Sequence, residues 1–255
     1  MPRQKGGNRC VQSLTDRLAS SAEADRVRAL HEAKGLACHP ESSNNFCSRL
    51  LHAQAAPLFM QQLYNQNNAA AADAVPVLKE LSAYQSEHQA LVSAGLLPGL
   101  VHVLSNSSSS TEAQQDAATA LQMVTYESPP TQTQLANTEG ALAALLSRLT
   151  PSKPDALRQA AIMVLAHLAE TPRNRGKLAE AGSIVPAAML LATDNAAMQH
   201  AATSVLVHLA QESDIRLQMV DAGALPALVA LLALPSKEAC RPPPSCATSL
   251  ATTAS

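Results

Sequence analysis

The chain has 255 residues, 47% of them apolar and 15% charged, with a net charge of −2 at pH 7. That balance belongs to a globular protein and supplies no overall basic field for nucleic acid. Aromatics make up 2% with no Trp, which removes the stacking platforms of single-strand readers and leaves an Ala- and Leu-rich core suited to closely packed helices.

The start, "MPRQKGGNRC", is basic, but no apolar run follows it as in a secretory signal. Residues 1–20 are polar and are expected to be a disordered N-terminal segment. No stretch approaches the ~18 uninterrupted apolar residues of a membrane span. The five cysteines (Cys10, Cys38, Cys47, Cys240, Cys246) are scattered without a C-x-x-C, as expected of free thiols in a reducing compartment. Residues 21–53 read as a degenerate half-repeat, with one helix around Ala24–Leu36 and another over Asn45–Ala53. His31, Cys38, His39, Cys47 and His52 fall here. Their spacings match no common zinc module, and no metal is expected.

From residue 53 onward one phrase recurs: "AQAAPLFMQQL" at Ala53, "AGLLPGLVHVL" at Ala94, "EGALAALLSRL" at Glu139, "AGSIVPAAMLL" at Ala181 and "AGALPALVALL" at Ala222. Gly95, Gly140, Gly182 and Gly223 are spaced 45, 42 and 41 residues apart, and Gln54 takes the glycine slot 41 residues before Gly95. Such a period belongs to helical solenoids of ~40–47 residues per repeat, and also overlaps propeller blades. Blades require four short alternating strands; these segments carry helical spacing. Each repeat reads as three helices. A short first helix ends at the glycine, which serves as a left-handed C-cap. A second helix has Pro57, Pro98, Pro186 or Pro226 in its first turn, where a missing N–H is harmless. In the third helix Leu157, Ala160, Ala161, Val164, Leu165 and Leu168 form an apolar stripe, and the residues 41 further on, Met198, Ala201, Ala202, Val205, Leu206 and Leu209, repeat it. The same face must be buried in successive copies because each repeat hides it only against its neighbours. Third helices are expected to start near Thr111-x-x-Gln114, a capping-box pattern, and at Asp155 and Asp194. The serine run Ser107–Ser110 reads as a solvated loop.

The repeat boundaries fall at 54–94 (degenerate), 95–139, 140–181 and 182–222, followed by an incomplete repeat at 223–235 whose second helix spans Leu225–Leu234. Three consecutive prolines, Pro242–Pro244, forbid a regular third helix after it. Residues 236–255 are expected to be a disordered tail, and the final repeat to leave apolar surface for a partner or for further repeats.

Three helices, a glycine corner, a proline in the second helix and an "A-x-x-x-L-x-x-L-A" third helix resemble armadillo repeats, most closely in "NRGKLAEAGSIVPAAMLL" and "IRLQMVDAGALPALVALL". HEAT repeats, with two helices and no Gly-Pro corner, are the structural alternative. The resemblance implies an all-α, right-handed α-α superhelix of about four to five three-helix repeats. Its third helices would line a concave groove that binds extended peptides or partner domains. In nuclear-import adaptors of this family an Asn and a Trp repeat along that groove. Here the Asn slot holds Glu80, Met123, His167 and His208, and the Trp slot holds Pro76, Thr119, Met163 and Ser204, so import-signal binding of that type is not expected.

The candidate groove residues are therefore Glu80, Met123, Met163, His167, Ser204 and His208. His167 and His208 are expected beside the buried stripe at a half-exposed boundary, either touching a partner or merely tolerated there. No nucleophile motif or phosphate loop occurs, and neither catalysis nor a cofactor is expected. The sequence points to a cytoplasmic or nuclear protein-interaction scaffold with protein partners. Its alternatives are a substrate-recognition part or fragment of a ubiquitin-ligase system and a structural component of a cytoskeletal or ciliary assembly.

Overall fold

A computed structural model describes residues 3–39, 43–53, 55–64 and 68–224. Among the described residues the chain forms fifteen α-helices, one 3-10 turn at Gln85–Glu87 and no strand. In chain order the helices are α1 (Arg3–Leu18), α2 (Glu23–Ala37), α3 (Ser43–His52), α4 (Ala56–Leu63), α5 (Asn68–Ser82), α6 (His88–Ser93), α7 (Leu96–Ser105), α8 (Thr111–Thr125), α9 (Pro129–Asn137), α10 (Ala141–Ser147), α11 (Asp155–Glu170), α12 (Pro172–Glu180), α13 (Ile184–Leu190), α14 (Ala196–Leu209) and α15 (Ser213–Asp221).

Four units of three helices follow one another, α3–α5, α6–α8, α9–α11 and α12–α14. The third helices α2, α5, α8, α11 and α14 each pack on the next, and the second helices α4, α7 and α10 likewise contact one another in succession. Both copies of the apolar stripe are buried, from Leu157 to Leu168 in α11 and from Met198 to Leu209 in α14. The buried residues of successive units form one continuous core.

The N-terminal segment departs from the sequence expectation. Residues 3–18 are helical rather than disordered, because Val11, Leu14 and Leu18 are spaced along one face and buried. Helix α1 packs on α2, α3 and α4. Gln54, Pro226, the second helix at 225–234 and the tail at 236–255 lie outside the described residues.

The corners are made as the glycines require. Gly95, Gly140, Gly182 and Gly223 have φ of 95°, 73°, 81° and 69°, a region in which a Cβ costs about 1–2 kcal/mol. Gly99 serves packing instead: a Cβ there would lie 2.7 Å from Leu63 Cδ1, so its absence lets α7 approach α4. Helices α8 and α11 start at Thr111 and Asp155 as expected, but two N-caps lie one residue from the expected ones. Ser110, not Thr111, caps α8 by accepting from the Ala113 N–H at 3.2 Å. Asn195, not Asp194, caps α14 by accepting from Ala197 and Met198. Gln114 does not close a capping box. Its amide ties the preceding loop through Asn106 O and Ser109 O and accepts from Arg148 Nη1 at 2.8 Å.

One polar slot in the first helices closes the C-terminal ends of the third helices. His88, Gln132, Arg175 and Arg216 occupy it, 44, 43 and 41 residues apart. His88 Nε2 donates to Ser82 O at 2.7 Å, and Gln132 Nε2 to Thr125 O at 3.0 Å. Arg175 Nε donates to Ala169 O at 3.1 Å, and Arg216 Nη1 to Ala210 O at 2.9 Å. Each satisfies a carbonyl that the end of a helix leaves without a partner. The same residues reach forward: Gln132 accepts from Thr171 Oγ1 at 2.5 Å, and Arg175 Nη1 donates to Glu212 Oε1 at 3.0 Å. The slot thus couples three successive repeats.

Candidate functional site: the third-helix groove

Buried apolar residues fix the register of the third helices, and that register fixes what each helix offers to the groove. At the first two interfaces the offering is an ion pair. Lys34 Nζ on α2 donates to Asp73 Oδ1 on α5 at 2.9 Å, and Lys79 Nζ on α5 donates to Asp116 Oδ1 on α8 at 2.9 Å. The lysines are 45 residues apart and the aspartates 43, so the pairs are successive rungs. The hydrogen bond from Asp73 raises the Lys34 pKa against the opposing pull of burial. Burial lowers that of Lys79, but the hydrogen bond and charge of Asp116 outweigh it and the net shift is upward. Both ammonium groups stay charged, and each is neutralised by its neighbour. His31 Nδ1 adds a contact to Asp73 at 3.5 Å, and Glu80 lies 3.7 Å from Lys79.

At the third interface, between α8 and α11, the rung is missing, because Gln122 and Ala160 take the Lys and Asp slots. A pocket of about 440 Å³ opens beside it, lined by Ser82, Ala83, Gln85 and His88 from the end of α5 onward, by Gln122, Met123 and Tyr126, and by Met163 and His167 of α11. Three of the six groove residues chosen from sequence, Met123, Met163 and His167, meet in it. Ser204 and His208 lie together one repeat further on, and Glu80 stands apart at the second rung.

The two histidines share a slot but not an environment. His167 is buried, at 8% exposure, rather than half-exposed as the sequence suggested. Its Nδ1 lies 3.1 Å from Thr125 Oγ1, and its ring meets that of Tyr126 edge-on at 5.6 Å. Thr125 Oγ1 also lies 2.7 Å from Leu121 O and 3.2 Å from Gln122 O, and we assign its single proton to the shorter carbonyl contact. The Thr125 oxygen therefore accepts, and the His167 proton sits on Nδ1. Burial pushes the His167 pKa below the ordinary value, with Glu170 opposing weakly. His208 has no such partner, because the slot of Thr125 is occupied by Ala169 in α11. It stays half-buried and turns to its own helix, with Nδ1 2.8 Å from Ser204 O and 3.3 Å from Ser204 Oγ.

The sequence reading missed Ser82, Gln85, His88, Gln122 and Tyr126 as pocket residues. The available signal was the break in the Lys–Asp ladder at Gln122 and Ala160, together with an aromatic residue following α8 in a chain with three Tyr and two Phe. Among the described residues no group of three or more His, Cys, Asp or Glu side chains stands close enough to hold a metal, and no helix is long and apolar enough to cross a membrane.

Comparison with known proteins matches the groove's architecture. The Armadillo/beta-catenin-like repeat family matches residues 88–122, which cover α6, α7 and most of α8. No curated protein is matched by the sequence. Among solved structures, a set of computationally designed armadillo repeat proteins for modular peptide recognition superposes with a TM-score of 0.77 at 23% identity, over 89% of this chain and 93% of that one. A designed armadillo repeat protein in complex with the peptide (KR)4 gives 0.73 at 23% identity over the same shares. A stack of three-helix units with left-handed glycine corners, an armadillo repeat match at its centre and these neighbours identify the chain as an armadillo-type α-solenoid.

Proposed function

We propose that this chain is a non-catalytic scaffold that binds a peptide or domain of another protein along the third-helix groove. The observation that carries the reading is the continuous third-helix ridge, charged and self-neutralised over two rungs, then uncharged and hollowed where Met123, Met163 and His167 meet. A solenoid presents such an extended surface without enclosing substrate, so its mechanism is recognition. The peptide bound by the designed neighbour is a property of that protein, and it supports the groove as the surface to test. Cytoplasm or nucleus is the proposed location, on the scattered cysteines without a C-x-x-C; imaging of the tagged full chain tests it.

Site-resolved photo-crosslinking in cells tests the function. A benzophenone side chain is placed in the groove at Glu80, Met123 or Ser204, or on the outer helix α13 at Val185 or Met189, which are 48% and 59% exposed. Discrete adducts from the groove positions and none from α13 are expected. Adducts from α13 alone would reject the groove.

A further inference from the structure

The geometry points to the pocket between α5, α8 and α11 as an anchor site for one large, uncharged side chain of the partner, with a single hydrogen-bond donor, as in tryptophan. The inference rests on the groove-binding reading and names what that groove selects.

Four observations support it. The first is size: about 440 Å³ lies within the range of ~300–1,000 Å³ that holds a small ligand, and a large aromatic side chain is the part of a peptide that fills such a space. The second is charge. The lining has no Asp, Glu, Lys or Arg, and the two rungs beside it bind their own charges, so a charged side chain entering here would lose hydration and gain no counter-charge. The third is surface chemistry. Met123 and Met163 offer polarisable thioethers, which adapt to an aromatic face and make favourable sulfur–ring contacts. Tyr126, 55% exposed, adds an aromatic wall.

The fourth is the hydrogen-bonding pattern. With its proton held on Nδ1 by Thr125, His167 presents Nε2 as a bare acceptor that has no partner among the described residues. An acceptor on an otherwise neutral wall selects a ligand with an apolar body and one N–H or O–H. The carboxamides of Gln85 and Gln122 also make no hydrogen bond among the described residues, leaving donors and acceptors for the backbone of an extended segment. The chain itself has no Trp, so the anchor comes from the partner.

Methyl NMR of the full chain labelled at the methionine ε-methyls provides the test, because Met60, Met198 and Met219 are buried elsewhere and Met189 is exposed elsewhere. The probes are N-acetyl-tryptophan amide, N-acetyl-phenylalanine amide and N-acetyl-lysine amide. Saturable shifts of Met123 and Met163 are expected with the tryptophan probe, binding about tenfold tighter than the phenylalanine probe, which lacks the donor, and no response to lysine. Ala83→Trp, which fills the pocket from its exposed rim, should abolish the response with circular dichroism unchanged. His167→Phe, which keeps a ring but removes the acceptor, should erase the preference for tryptophan. Absence of saturation, an equal response at Met189, or an equal response to lysine would overturn the anchor. If these arise while groove crosslinks from Ser204 persist, the anchor assignment falls and the scaffold reading stands; if the groove crosslinks are lost as well, both fall.

Discussion

Removal of Arg175 tests whether the polar slot in the first helices holds the solenoid together. Its side chain is 8% exposed and makes three bonds: Nε to Ala169 O at 3.1 Å, Nη2 to Glu170 O at 3.4 Å and Nη1 to Glu212 Oε1 at 3.0 Å. The bond to Ala169 is buried and charge-assisted, worth about 1.5–3 kcal/mol. The bond to Glu170 is near the geometric limit and adds a fraction of that. The Glu212 carboxylate is 45% exposed, so solvent screening holds that pair to about 0.2–1 kcal/mol. Arg175→Met keeps most of the apolar stem packing and should therefore destabilise by about 2–4 kcal/mol. Arg216 occupies the equivalent slot but is exposed, and the carbonyls it serves can turn to water. Arg216→Met should cost about 0–1 kcal/mol. Urea unfolding followed by circular dichroism measures both, with hydrogen exchange of α11 and α12 amides reporting where the loss falls, since a repeat array need not unfold as one unit. Equal losses for the two variants, or no loss for Arg175→Met, would refute the slot as a burial-dependent clamp.

Two glycine substitutions should move stability in opposite directions: Gly95→Ala, at φ 95°, lowers it by about 1–2 kcal/mol, and Gly176→Ala, inside α12 with open space at its Cβ, raises it by about 0.5–1 kcal/mol, both read by thermal melting. The rung between Lys79 and Asp116, with side chains 24% and 22% exposed, should show a coupling of about 1 kcal/mol in a double-mutant cycle with Lys79→Met and Asp116→Asn, weakening in high salt. His167 gives a pH dependence. Its folded pKa lies below the unfolded value near 6.5, so below pH ~6.5 the unfolded chain binds the proton more readily and stability falls. The loss begins near that value and levels off once pH has passed the folded pKa. His167→Gln should remove this component of the difference between urea midpoints at pH 7.5 and 5.5; an unchanged difference would exclude His167 as its source.

What was legible in the sequence follows from what repetition constrains. The apolar stripes of α11 and α14 and the glycine corners were readable because every copy must present the same buried face and make the same left-handed turn. Helix α1 was not readable: its stripe of Val11, Leu14 and Leu18 is short, sits among charges, and has no glycine corner to mark it. The caps were misplaced by one residue because Ser110 and Thr111, or Asp194 and Asn195, are adjacent residues that all suit an N-cap, and only backbone geometry chooses between them. The burial of His167 was hidden for a different reason. It depends on Thr125 and Tyr126, 42 and 41 residues away, and spacing within α11 carries no information about either.

The groove residues that vary between repeats therefore carry more functional information than those that recur. Where the pattern holds, at Lys34–Asp73 and Lys79–Asp116, the groove satisfies itself and offers a partner little free charge. Where it breaks, three slots change across the α8–α11 interface: Gln122 replaces Lys, Ala160 replaces Asp, and His167 takes the position held by Glu80 and Met123 in the preceding repeats. Each change exchanges charge or bulk for neutral, hydrogen-bonding or open surface, and two of them, Gln122 and His167, line a single pocket. Stacking requires none of them, since the buried stripes on both sides continue unaltered through α8, α11 and α14. The ladder does not resume between α11 and α14, where Ala166 and Ala201 take the Lys and Asp slots, so the loss of the charged rung alone does not mark the pocket. The meeting of Gln122 and His167 with Met123, Met163 and Tyr126 around one cavity is the strongest physical reason to look for the partner's contact there.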